Sequence, residues 1–190
     1  MNEPRAILVI QLRRIGDVIL TTPAVAALKK RFPNAALDFL VEPAGAEALK
    51  GNPHIRELIV YDAKGPLGAI AWMKKIRARR YDWVIDFMGN PRSAFLTAAS
   101  GAAVKAGPGH VAHRWAYGVK LPQSGTTQYA ALEKIRMLAP LGVPTEGAEF
   151  LPTVFLGRGR KAANRIAVAP ASRRVTRRWP ARHYIELGKM

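Results

Sequence analysis

The sequence contains no cysteine, which removes disulfides and thiolate metal sites from consideration and fits a reducing compartment. It has no run of eighteen apolar residues, so no segment reads as a membrane-spanning helix. The opening MNEPRAILVIQL puts an acidic residue before a short apolar run that leads straight into arginines, a poor secretory signal. The expected location is cytoplasmic. Acidic residues are scarce, with 13 against 30 lysines and arginines in 190 residues, and none falls between Glu149 and Glu186. No G-x-G-x-x-G follows the first apolar run, so the dinucleotide fingerprint is missing. No D-x-D pair offers itself to a divalent cation, and no metal is expected.

What is present is charge and order. A formal charge of +17 attracts polyanions such as nucleic acid, anionic lipid or phosphorylated sugar. A solvated basic surface accounts for the same composition. Four short apolar runs, AILVIQL (6–12), ALDFLVE (36–42), ELIVYD (57–62) and DWVIDFM (82–88), read as buried parallel strands. Helical patterns lie between them, in PAVAALKKRF and in LGAIAWMKKIRARR, where Leu67, Ile70, Met73 and Ile76 are expected to face inward. NPRSAFLTAASG predicts a helix after the fourth strand, AAVKAGP a short strand and TTQYAALEKIRMLAPLG an amphipathic helix opened by threonine. The alternation predicts an α/β, doubly wound, Rossmann-like parallel sheet. It divides into a first domain over residues 1–143, a crossover over 144–165 and the start of a second domain over 166–190.

The stretch QLRRIGDV after the first strand stands where open parallel sheets bind ligands. Gly16 is expected to let the backbone turn closely. Asp17 is open to two readings, a helix cap or a functional carboxylate, and Thr22-Pro23 supplies a rival helix start. Asp86 at the end of the fourth strand either contacts a ligand or makes a structural hydrogen bond to a neighbouring loop, and Asn90, Arg92 and Ser93 after it either meet a phosphate or carboxylate or cap the helix at the surface. His110 and His113 have H-x-x-H spacing without a carboxylate cluster beside them, a poor metal signature. Trp72, Trp115 and Trp179 read first as packing residues.

Taken together, ILVIQLRRIGDVILTTPAVAALKKRFPNAALDFLVEP, NPHIRELIVYD, YDWVIDFMGNPRSAFLTAASGA, QYAALEKIRMLAPLGV and IAVAPASRRVTRRWPARHYIEL resemble, in this order, the family 9 glycosyltransferases, the ADP-heptose:lipopolysaccharide heptosyltransferases. The resemblance implies a GT-B arrangement of two Rossmann-like domains, the first holding acceptor and the second mainly the ADP-heptose donor. It implies Asp17 as catalytic base, with Arg13, Arg14, Gly16, Asp86, Asn90 and Arg92 on the acceptor side and Ser172, Thr176 and Arg177 on the donor side. The expected reaction is inverting transfer of heptose to the lipopolysaccharide inner core, beside an anionic membrane surface and without specific nucleic acid. Arg177 stands where the family has lysine, and Ala171 where it has glycine in a Pro-Gly-Ser turn. Most of the family's second domain is missing from these residues, which leads to the expectation of a fragment inactive by itself. The competing expectations are a non-catalytic acceptor- or polyanion-binding piece and a basic nucleic-acid-binding protein, the latter without a recognisable nucleic-acid motif.

Overall fold

The computed structural model describes residues 2–123, 129–155, 166, 168, 176 and 178–189. The chain divides into two compact units, Met1–Gly157 and Arg158–Met190.

The first unit is built on one six-stranded sheet. Its strands are β1 (Ala6–Ile10), β2 (Ala36–Val41), β3 (Glu57–Val60), β4 (Trp83–Asp86), β5 (Val104–Pro108) and β6 (Val119–Leu121). They lie in the order β3-β2-β1-β4-β5-β6, and every neighbouring pair is parallel. The four apolar runs and AAVKAGP are thus strands. The edge strand β6 goes beyond the sequence reading, because three residues with one buried side chain carry too little pattern to register.

Side chains alternate along β1 between two cores, as a sheet covered on both faces requires. Ile7 and Val9 join Leu37, Phe39, Trp83 and Ile85 beneath α2 (Thr22–Arg31) and α6 (Ala130–Arg136). Leu8 and Ile10 join Leu40, Val84, Trp72, Ile76 and Leu96 beneath α4 (Gly65–Ala78) and α5 (Pro91–Ala99). The inward face of α4 holds the expected Ile76 and, half-buried, Met73, but differs from expectation in its other residues. Leu67 is 82% and Ile70 49% exposed, whereas Trp72 and Ile76 are buried. One turn of separation puts Trp72 over Ile76, and the Trp72 indole N–H donates to Asp62 at 3.1 Å, which fixes that face inward.

Two further short helices, α1 (Ile15–Ile19) and α3 (Pro43–Ala46), follow β1 and β2. The rival helix starts after β1 are both real: α1 ends at Ile19, capped by Leu20, and α2 begins anew with Pro23 in its first turn. The helix expected from Thr126 onward begins at Ala130, and that threonine pair lies outside the described residues. Residues 144–155, expected in a crossover, belong with the first unit: Ala148 packs on its core and the Thr153 N–H donates to Thr22 Oγ1 at 3.0 Å. In the second unit α7 (Ala181–Leu187) follows Pro180, and Trp179 stacks on His183 with ring centroids 5.4 Å apart. The strand expected at 165–170 falls mostly outside the described residues.

Candidate functional site

The strand order reverses at β1, with β2 on one side and β4 on the other, so the loops after β1 and β4 open a crevice at the carboxyl edge of the sheet. The β1 loop leads into α1, whose first turn carries Asp17. Asp17 does not cap α1. Arg14 occupies the cap position and no side chain caps the helix. Among the described residues no hydrogen bond engages the half-buried Asp17 carboxylate, although its backbone carbonyl accepts from the Thr21 hydroxyl at 2.7 Å. The tight turn expected at Gly16 is made by Arg14, a non-glycine residue at φ 65°. Gly16 lies in the helix with open space beside it: a Cβ there would meet no heavy atom within 4 Å.

Around the crevice the cations are partly matched. Glu42, just after β2, accepts from Arg92 at 2.7 Å and lies 3.6 Å from Arg13. Arg92 also stands 5.6 Å from the centre of the Tyr61 ring. Arg13 and Arg14 are exposed. Asn90 is a helix cap, its side-chain oxygen accepting from the Ser93 N–H at 2.9 Å.

Asp86 is placed differently from the acceptor contact expected of it. It is fully buried, and its carboxylate accepts from the Met88 and Gly89 N–H groups at 2.8 and 3.2 Å and from the Tyr117 hydroxyl at 2.6 Å. Burial pushes its pKa up against the opposing pull of those donors, and burial followed by the Asp86 charge pushes that of Tyr117 up. Every oxygen is engaged inside the fold, so Asp86 shapes the β4 loop from within.

Sequence reading missed Lys134, Gln11, Glu42 and Tyr117. Lys134 carried a signal: Ala131, Lys134, Ile135 and Leu138 form one helical stripe, three of them apolar, and Lys134 is 8% exposed. Its ammonium donates to Gln11 Oε1 at 2.8 Å, and desolvation lowers its pKa to about 8 against the favourable fields of Asp17 and Asp86. Of the donor-side residues, Thr176 is described and exposed, whereas Ser172 and Arg177 lie outside the described residues. Among the described residues no group of three metal-ligating side chains gathers.

These features define a class: a doubly wound α/β protein with a carboxylate and a cationic rim at the switch point of its sheet. The sequence profile of glycosyltransferase family 9 (heptosyltransferase) matches residues 69–190, and the chain belongs to that family. It is 29% identical over 143 residues to lipopolysaccharide heptosyltransferase 3 of Escherichia coli K12, covering 70% of this chain and 41% of that protein. A family 9 glycosyltransferase from Veillonella parvula superposes with a TM-score of 0.69 at 28% identity, over 80% of this chain and 45% of the other. Escherichia coli heptosyltransferase WaaC, solved with ADP-2-deoxy-2-fluoro heptose, gives a TM-score of 0.76 at 22% identity over 96% and 64% of the two chains. The last likeness concerns the fold alone. The chain therefore spans less than half the length of the curated relative and of the Veillonella protein.

Proposed function

We propose that the first unit is the acceptor side of an inverting heptosyltransferase, with Asp17 as the base that takes the proton from the attacking sugar hydroxyl. The observation that carries this reading is the Asp17 carboxylate itself, half-buried at the switch point and without a hydrogen-bonding partner among the described residues. A hydroxyl is a weak nucleophile at neutral pH, and a carboxylate within hydrogen-bonding reach removes its proton as the new C–O bond forms. Attack from the face opposite the departing ADP inverts the anomeric carbon.

Arg13, Arg14 and Arg92 suit the carboxylates and phosphates of a lipopolysaccharide core, and the open space beside Gly16 permits a sugar to approach the backbone. The donor is ADP-heptose, as the ligand of the WaaC structure suggests, and Ser172, Thr176 and Arg177 are assigned to it. Arg177 would meet the charge that develops on the leaving diphosphate, so no metal ion is invoked. Transfer would take place at the cytoplasmic face of the membrane, where the basic surface meets anionic lipid. Among the described residues no helix is long and apolar enough to cross a membrane.

Titration calorimetry with a Kdo-containing core acceptor, together with a transfer assay using ADP-heptose, tests the reading on the wild-type chain and on Asp17→Asn. Acceptor binding in both, with any transfer confined to wild type and unchanged by EDTA, is the expected result. Equal transfer by Asp17→Asn would remove Asp17 as base. Failure to bind the acceptor, with tight salt-sensitive binding to arbitrary DNA, would replace the transferase reading with a polyanion-binding one.

A further inference from the structure

Lys134 has no part in the proton transfer just described, yet the charge of Asp17 acts on it. A buried ammonium is costly unless something requires it, and an apolar residue would continue the stripe of Ala131, Ile135 and Leu138 without that cost. Its Nζ donates to Gln11 Oε1 at 2.8 Å and lies 5.1 Å from the centre of the Phe87 ring. Gln11 in turn donates through Nε2 to the Arg13 carbonyl at 3.2 Å. This relay ends one residue before Arg14, the non-glycine residue at φ 65°. Such a conformation persists only where its surroundings over-determine it. On the far side the Val18 N–H donates to the Arg14 carbonyl at 3.0 Å. The strained turn is therefore held from both ends, from the core by Lys134 and Gln11 and from the helix by Val18.

The charges that face Lys134 come from two other elements, Asp17 on α1 and Asp86 on β4, and both favour its protonated form. Glu133 and Arg136 flank it in its own helix and have partners of their own. We infer that Lys134 is a positioning residue whose buried side chain, acting through Gln11, clamps the turn at Arg13 and Arg14 and thereby fixes where Asp17 presents its carboxylate. The clamp is a property of the fold. Its catalytic consequence rests on Asp17 being the base.

The test is NMR on the full isotopically labelled chain, with Lys134→Met, Lys134→Arg and Gln11→Leu as variants. In wild type the Lys134 side-chain signals should titrate with a midpoint near 8, and the Asp17 carboxyl carbon and the Arg13 to Gly16 amides should move with the same midpoint. Lys134→Met should shift those amides and abolish the common step. Lys134→Arg should restore the amide positions without the step. A Lys134 titration step that Asp17 and the loop amides do not sense, or loop amides untouched by Lys134→Met, would overturn the inference. Should Lys134→Met fail to fold, Gln11→Leu severs the relay with the charge still in place, and unmoved loop amides there overturn it equally. None of these signals depends on transfer. Transfer unaffected by Asp17→Asn would sink the base assignment and leave the clamp standing.

Discussion

Asp86 and Lys134 are both buried ionisable side chains at the carboxyl edge of the sheet, and they fail in different ways when replaced. Asp86 accepts three hydrogen bonds, those from Gly89 and Tyr117 fully buried and that from Met88 partly so. Asp86→Ala strands the Met88 and Gly89 N–H groups and the Tyr117 hydroxyl, and urea unfolding should show a loss of about 2–4 kcal/mol. Asp86→Asn keeps an acceptor for the backbone and a donor for the tyrosine oxygen, and should cost less than about 1 kcal/mol. For Lys134 the sign follows from its lowered pKa. Between about 8 and 10.5 the unfolded chain holds more protons than the folded one, so this residue's contribution to stability rises with pH across that window. Below 8 the cost of burying the charge is present in full. Unfolding at pH 7 and pH 9.5 should differ by about 2 kcal/mol more in wild type than in Lys134→Met. An equal difference in the two proteins would show that the buried ammonium is not the source.

Among the elements, α1 is short and depends on its neighbours for its place. Gly45 in α3 supplies the close approach: a Cβ there would lie 2.7 Å from Val41 Cγ2 and 3.0 Å from Val18 Cγ2. Both valines are stiff and buried, and Val18 follows Asp17 directly. Gly45→Ala should therefore push α3 away from α1, lower stability by about 1–3 kcal/mol, and weaken acceptor binding more than the distant, exposed Leu67→Ala. Calorimetry on the two variants checks the contrast. The same packing explains what was legible in the sequence. Strands β1, β2 and β4 were readable because burial on both faces writes continuous apolar runs. The Gly-Asp pair after β1 is conspicuous too, but the residues alone left Asp17 open between a helix cap, which α1 does not have, and a functional carboxylate. The buried face of α4 was legible in part: Ile76 and Met73 pack on the core as the period predicts, but Leu67 and Ile70 satisfy the same period and are exposed, while Trp72, bonded to Asp62, is buried. The Lys134 relay joins residues 123 apart in sequence, a contact that no local pattern contains.

The whole molecule carries +17, and its acidic residues are unevenly spent. In the amino-terminal half of β2, buried Asp38 is held by Arg56 at 2.6 and 2.9 Å and by the Tyr81 hydroxyl at 2.6 Å, while Glu57 engages Arg79. At the carboxyl edge one carboxylate, Glu42, serves both Arg13 and Arg92, so the rim of the crevice keeps a positive excess. Self-repulsion and ligand attraction then respond to salt with opposite sign. Salt contracts the Debye length from about 10 Å at 0.1 M to about 3 Å at 1 M, which screens both. The thermal midpoint should rise over that range as repulsion among the cations fades. Affinity for a Kdo-containing acceptor and for anionic vesicles should fall at least about tenfold as steering and rim contacts weaken. Calorimetry and thermal unfolding on one salt series measure the two together. Affinity that holds steady while the midpoint climbs would mean that the arginine rim does not recognise the acceptor, and that recognition rests on uncharged contacts such as those beside Gly16.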